Sequence, residues 1–201
     1  MDGYHEVSLI EMIEQIGEEK VKSILSDFCC KLNPDVEKFL RKQAITFAKQ
    51  NLSPTYLVFA PYKNKLVLVG YYTITSKYFV IKDKCAISNN LRKRISKFGT
   101  RDNELGQYNI SAPLLAQLGK NYKNGYNKLI TGDELLKMAC DKIAFAQQVV
   151  GGKVVYLECE EKEKLVDFYT SNGFVVFDKR PLDKDEVDLD GEYLLQLLRY
   201  G

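Results

Sequence analysis

The chain has 201 residues, 45% hydrophobic and 28% charged, enough to bury a core of ordinary size without disulfide or metal staples. Lys plus Arg number 29 and Asp plus Glu 27, a formal net charge of +2, which excludes a bulk polycation on nucleic acid but not a local basic patch. No apolar run approaches the roughly 18 residues of a membrane span, and the polar start Met1–Glu6 does not read as a secretory signal, so a cytoplasmic protein with no membrane partner is expected.

The rare residues narrow the chemistry. His5 is the one histidine, so Ser-His-Asp or Cys-His catalysis would have to run through a residue beside the terminus, and it reads as a solvated side chain instead. Five cysteines (Cys29, Cys30, Cys85, Cys140, Cys159) form no CxxC pair and lack nearby histidines, so no metal site is expected and reduced, mostly buried thiols are. Tryptophan is absent and tyrosine, at 13, is abundant, which makes a phenol the natural candidate for proton transfer.

From the N-terminus, Leu9, Met12, Ile13, Ile16, Val21, Ile24 and Leu25 recur at helical spacing across 8–27, with Gly17 breaking the run into two helices. Asn33-Pro34 reads as an N-cap followed by proline at the first helical position, opening a helix over 35–50 with Val36, Phe39, Leu40, Phe47 and Ala48 on its apolar face. Thr55–Ala60 and Lys65–Val80 read as strands joined by a hairpin turn at Pro61–Asn64. Residues 82–109 lose this pattern and read as a basic insertion, with a short helix around 91–98. Its stretch 82–101 holds seven basic residues against Asp83 alone, a local charge of +6, with Tyr78, Phe79 and Phe98 nearby as stacking aromatics.

Tyr108–Leu118 reads as a strand, and a polar stretch from Gly119 to Lys128 follows. Thr131 and Glu134, three residues apart, make a capping box at the start of the next helix, whose core face is Leu135, Met138, Ala139, Ile143 and Ala146. Lys153–Cys159 reads as a strand, Lys162–Asn172 as a helix stopped by Gly173, and 174–177 and 193–200 as further strands. Residues 178–192 carry a net charge of −4 and read as a solvated loop. This order implies an α/β (α+β) fold, one domain spanning 1–201 with an N-terminal helical segment 8–50, built on a central mixed twisted sheet of about six to seven strands flanked by helices.

Two segments carry chemistry. A strand feeding a loop and then a capped helix presents unpaired N–H groups and a partial positive charge, the physical recipe for a phosphate cradle. Gly119, Asn124, Gly125 and Gly132 would allow close backbone approach there, and Lys120, Lys123 and Lys128 add charge. The second segment, Phe168-Tyr169-Thr170-Ser171-Asn172-Gly173-Phe174, places a phenol at a helix end just before a glycine turn. Each has an ordinary structural reading too, as a connection and as core aromatics.

Together the two segments resemble the GNAT acetyltransferase superfamily over roughly 33–176. Phe168–Phe174 fits the family's FYxxxGF ending, and Pro113–Asn121 looks like its cofactor strand. The resemblance implies a GNAT-like fold, acetyl-CoA as cosubstrate, and direct attack of a primary amine on the thioester. It implies Tyr169 as the acid that protonates the departing CoA thiolate. Leu118, Gly119 and Lys120 would hold the pantetheine arm, and Lys128, Leu129, Ile130, Thr131, Gly132 and Asp133 the pyrophosphate. The loop departs from the family's Q/RxxGxG/A: Asn127 stands for Q/R, Ile130 replaces the middle glycine, and Gly132 alone matches. Phe28–Leu40, 42–59 and Val69–Thr73 further resemble the branch containing acetyltransferase toxins of toxin–antitoxin pairs. That branch implies aminoacyl-tRNA as the acceptor and an antitoxin protein as partner. A homodimer through the N-terminal helices or the apolar last strand is compatible with the pattern, and a non-catalytic acyl-CoA-binding module on the same fold is the alternative. No general base stands out, and Glu158 and Glu160 read as surface carboxylates.

Overall fold

The computed structural model describes all residues except 1, 2, 185, 187, 188 and 190. Among the described residues eight strands, His5–Ser8 (β1), Thr55–Tyr62 (β2), Lys65–Lys82 (β3), Gly99–Asp102 (β4), Gln107–Lys120 (β5), Val154–Glu160 (β6), Val175–Pro181 (β7) and Tyr193–Tyr200 (β8), pair in the order β1-β2-β3-β5-β6-β8-β7, with β4 on β5. Seven α-helices accompany them: Leu9–Ile16 (α1), Glu18–Ser26 (α2), Pro34–Lys38 (α3), Ala44–Lys49 (α4), Asn89–Ile95 (α5), Gly132–Val150 (α6) and Glu163–Ser171 (α7). The pairs β1–β2, β2–β3, β4–β5, β6–β8 and β7–β8 are antiparallel, and β5 with β6 run parallel with Leu114 opposite Tyr156. The mixed sheet expected from the sequence is present. The two additional strands are the short β1 and β4, four residues each, which have too little length for alternation to show.

The chain forms two compact units, 1–75 with 116–139, and 76–115 with 140–201. In the first, α1 and α2 meet at Gly17, whose φ of +86° is a conformation that side chains resist. The expected helix over 35–50 starts as anticipated, with Asn33 Oδ1 accepting from Val36 N at 3.2 Å, but a π turn at Phe39–Gln43 divides it into α3 and α4. The β2–β3 hairpin turns at Lys63 and Asn64, both with positive φ (48° and 62°), the geometry of a tight hairpin turn that matches strand twist. The core of this unit gathers Leu9, Leu25, Phe28, Leu40, Leu57 and Tyr71, each at most 1% exposed. Tyr71 is satisfied there by donating its hydroxyl to Val36 O at 2.6 Å.

The second unit builds its own core from Phe79, Ile81, Ile95, Ile110, Tyr156 and Phe177. Phe79 stacks on Tyr156 with ring centroids 4.7 Å apart, so it is a core residue and not the surface stacking aromatic expected from sequence. The basic segment holds the short helix expected there, as α5 with the 3-10 turn Ser96–Phe98, and adds the strand β4. Ser88 caps α5 by accepting from Leu91 N, and β4 pairs along β5 from Gly99 opposite Ile110 to Asp102 opposite Gln107. Ala146, expected on the core face of α6, is exposed, as are Phe145, Val149 and Val150; the helix runs past its buried stretch, which ends at Ile143. The acidic stretch begins as strand, since β7 takes in 178–181, and four of its later residues lie outside the described ones. Cys30, Cys140 and Cys159 are buried, and no disulfide joins any of the five cysteines among the described residues.

Candidate functional site

The loop between β5 and α6 is assembled by side chains reaching in from three places. Thr131 Oγ1 accepts from Glu134 N at 3.1 Å, while Glu134 Oε2 accepts from both Thr131 N (2.8 Å) and Thr131 Oγ1 (2.7 Å), the reciprocal capping box expected from sequence. The backbone bond from Thr131, then its hydroxyl, hold the Glu134 carboxyl below its ordinary range. Lys120, at the end of β5, turns its ammonium onto Asn127 O and Ile130 O, both at 3.1 Å. Tyr4 donates its hydroxyl to Leu129 O at 3.0 Å. Burial, then the Glu134 carboxylate beside it, pushes the Tyr4 phenol up, so it stays a donor at neutral pH.

This geometry explains the missing glycine. The middle position of the loop is Ile130, whose side chain is 2% exposed and so belongs to the interior rather than to the outer face of the loop. Positive φ occurs at Asn124 and Gly125, in the preceding 3-10 turn Lys123–Lys128, and neither Ile130 nor Gly132 needs it. Of the lysines expected to supply charge, Lys120 is committed to loop carbonyls, Lys123 pairs with Asp27, and Lys128 is exposed.

Gly119 has a packing role beside the one its position suggested. A Cβ there would meet Val36 Cγ1 at 2.3 Å, so the glycine makes room for α3 packed on β5. Leu118 and Lys120, on either side, are half-buried. The next residue, Asn121, was not singled out by sequence reasoning. It is 2% exposed, donates to Leu68 O at 2.9 Å, and its Oδ1 accepts from Cys29 N and Lys123 N, both at 3.0 Å. It ties β5 to β3 and to the 28–30 segment; a lone asparagine at a strand end carries no pattern that would reveal this.

In the second unit, Tyr169 lies in the last turn of α7, followed by Gly173 at φ +81°. It is 8% exposed and packs against Phe168 and Phe174 at centroid distances of 5.0 and 5.8 Å. Burial, with Cys159 and Cys140 nearby, pushes the phenol pKa up, so Tyr169 is protonated throughout the physiological range. Glu158 and Glu160 are not surface carboxylates. Glu160 is 6% exposed and pairs with Lys162 at 2.9 Å. Glu158 accepts from Arg180 Nη2 at 2.7 Å, from Gln196 Nε2 at 3.1 Å, from the Tyr156 hydroxyl, and from Lys77 at 3.4 Å. Burial raises its pKa, but these donors outweigh burial and hold it down at about 2. A small surface depression of about 270 Å³, lined by Glu160, Glu161, Lys162, Gly191, Glu192 and Tyr193, contains none of the residues expected at the site.

The basic segment divides into spent and available charge. Arg101 pairs with both Asp83 oxygens (2.6 and 2.8 Å), Arg92 bonds Asn89 and Asp83 O, and Lys82 reaches Asp178 at 2.7 Å. Lys93, Arg94 and Lys97 lie along α5 and the 3-10 turn after it, with the Arg94 guanidinium 3.9 Å from the Tyr200 ring centre.

No family model and no curated protein sequence matches the chain. Solved structures do. A tyrosine-to-phenylalanine mutant of KacT aligns with 97% of this chain and 94% of its own, at TM-score 0.63 and 15% identity. AtaT complexed with acetyl-methionyl-tRNAfMet covers 96% and 93%, at 0.62 and 17%. The fold is shared with KacT and AtaT, and it is the GNAT-like fold expected from the sequence. A third match, an AtaT mutant toxin bound to the C-terminus of the antitoxin AtaR and acetyl-CoA, covers 99% and 94%, at 0.59 and 17%. Within this fold, Lys120 and residues 127–133 are brought together in the first unit, and Tyr169 stands in the second.

Proposed function

We propose that this chain transfers the acetyl group of acetyl-CoA to a primary amine, and that the amine is the α-amino group of an aminoacyl-tRNA. The observation that carries the reading is the stapled loop leading into the capped helix α6, on a fold shared with a toxin solved with acetyl-methionyl-tRNA. Backbone groups at Leu118, Gly119 and Lys120 take the pantetheine arm and polarise the thioester carbonyl. Residues Lys128–Asp133 take the pyrophosphate through backbone amides, helped by the helix dipole.

The neutral amine attacks the thioester carbonyl carbon; a C–N bond forms and the C–S bond breaks. Tyr169 gives its proton to the leaving sulfur, and the surplus proton on the amine passes to water, from which the phenol is reprotonated. Glu158 does not serve as base: four donors hold its charge, and a carboxyl at about 2 takes a proton poorly near neutrality. Holding both reactants together supplies the largest share of rate, up to about 7–11 kcal/mol. Lys93, Arg94 and Lys97 supply phosphate contacts for the RNA. By the same likeness to AtaT, the protein partner we assign is an antitoxin.

Thermal unfolding with and without ~1 mM acetyl-CoA tests the donor. A ligand at 100 times its dissociation constant adds about 2.7 kcal/mol, a rise of roughly 5–11 °C for a chain of this size. That rise, missing with adenosine alone, is the expected result; no rise contradicts the acyl-CoA reading.

A further inference from the structure

The loop between β5 and α6 lacks the glycine that a close-approach phosphate loop would use, yet its backbone is held more firmly than a glycine would hold it. Three of its carbonyls are occupied by side chains from outside the loop. Asn127 O and Ile130 O accept from the single ammonium of Lys120, and Leu129 O accepts from the Tyr4 hydroxyl. The peptide bonds are all trans, so in each unit the N–H points opposite to the C=O. Fixing the Leu129 carbonyl on Tyr4 therefore turns the Ile130 N–H to the opposite face. The Lys120 bonds do the same for the Lys128 and Thr131 N–H groups. The Thr131 N–H already shows what that face attracts, because it is donated to a carboxylate oxygen, Glu134 Oε2.

We infer that Lys120 and Tyr4 are positioning residues: they staple the loop carbonyls so that the amides of Lys128 and Ile130, each opposite a stapled carbonyl, face a diphosphate, doing with side chains what glycine does by conformational freedom. The inference rests on the acyl-CoA reading of this loop and names what makes it competent. Two of the three Lys120 N–H donors are held by loop carbonyls, and it is through these that Lys120 acts on the backbone. Tyr4 is an uncharged donor and cannot attract phosphate at all. It comes from the residues just before β1, so the loop depends on a segment distant in sequence. Glu134 completes the arrangement by holding the helix start while keeping the Tyr4 phenol protonated.

The test is calorimetric binding of acetyl-CoA and, by competition, of acetyl-pantetheine, which lacks the nucleotide and its pyrophosphate. The wild-type chain, Tyr4→Phe and Lys120→Met are compared at two salt concentrations. Tyr4→Phe is expected to weaken acetyl-CoA about 3–10-fold and Lys120→Met about 10–30-fold, both sparing acetyl-pantetheine. The Tyr4→Phe loss should be the same at both salt concentrations, as an uncharged positioning contact requires. Unchanged acetyl-CoA affinity in both variants overturns the staple. So does equal weakening of the two ligands, which would mean general damage to the site. Should Lys120→Met fail to fold, Tyr4→Phe alone decides. If the wild-type chain binds no acetyl-CoA, the acyl-CoA reading itself fails, and the staple with it.

Discussion

Tyr169 sits where the helix α7 ends and the chain turns through Gly173, and its surroundings are apolar rings and thiols rather than charges. Such a phenol is a poor acid in solution but a well-kept one here: it holds its proton until a strongly basic thiolate forms beside it. Tyr169→Phe should lower kcat about 10²-fold while leaving acetyl-CoA affinity and thermal stability close to wild type. The rate of the wild-type chain should rise with pH as the acceptor amine, with a pKa of about 8, loses its proton. Because burial raises the Tyr169 pKa, the alkaline decline should lie above about pH 10; a decline near pH 8 in a pH–rate profile would remove the assigned role.

Glu158 gives the complementary case at the same scale. Its folded pKa, about 2, lies below the unfolded carboxyl value of about 4.3, so the stability it adds is present above that value and lost as pH falls toward 2. Glu158→Gln should flatten the fall of Tm across this window, checked by thermal scans from pH 6 to pH 2. The place of Tyr169 at a helix end was legible because FYxxxGF is a pattern with a glycine at a fixed turn. The burial of Glu158 was not, because its partners Arg180 and Gln196 come from β7 and β8, and no local spacing announces a cross-strand ion pair.

Among the elements, β5 and the start of α6 do most to set the proposed site. Gly119 has a packing reason that sequence reading did not supply. Its missing side chain admits Val36, so Gly119→Ala should cost about 1–3 kcal/mol by overpacking, read from denaturant unfolding. The double variant with Val36→Ala should recover part of that loss if the Cβ–Val36 contact is the cause. The capping box at Thr131 and Glu134 was readable from three-residue spacing, and so were the break at Gly17 and the cap at Asn33. The π turn at Phe39–Gln43 and the strands β1 and β4 were not. The first lies within a run whose apolar spacing is ordinary for a helix, and the others are pairs made by tertiary position rather than by propensity. Sequence periodicity also overran the buried part of α6, since Ala146 continues the spacing beyond the point where neighbours cover it.

For the whole molecule, net charge says little and its distribution says more. The +6 stretch is partly spent on Asp83 and Asp178, and Lys93, Arg94 and Lys97, on and just after α5, are the set to test against RNA phosphates. Replacing all three with alanine should weaken tRNA binding and reduce the slope of log affinity against log salt by about 2–3, roughly one per phosphate contact. An unchanged slope would move the RNA surface elsewhere. The central claim, acetyl transfer to the amino group of a charged tRNA, is met most directly by incubating the purified chain with radiolabelled acetyl-CoA and a mixture of aminoacyl-tRNAs. The account predicts label in the tRNA fraction, released by mild base as N-acetyl amino acid, and lost with Tyr169→Phe. Label that never enters charged tRNA, from a chain that binds acetyl-CoA, would contradict it.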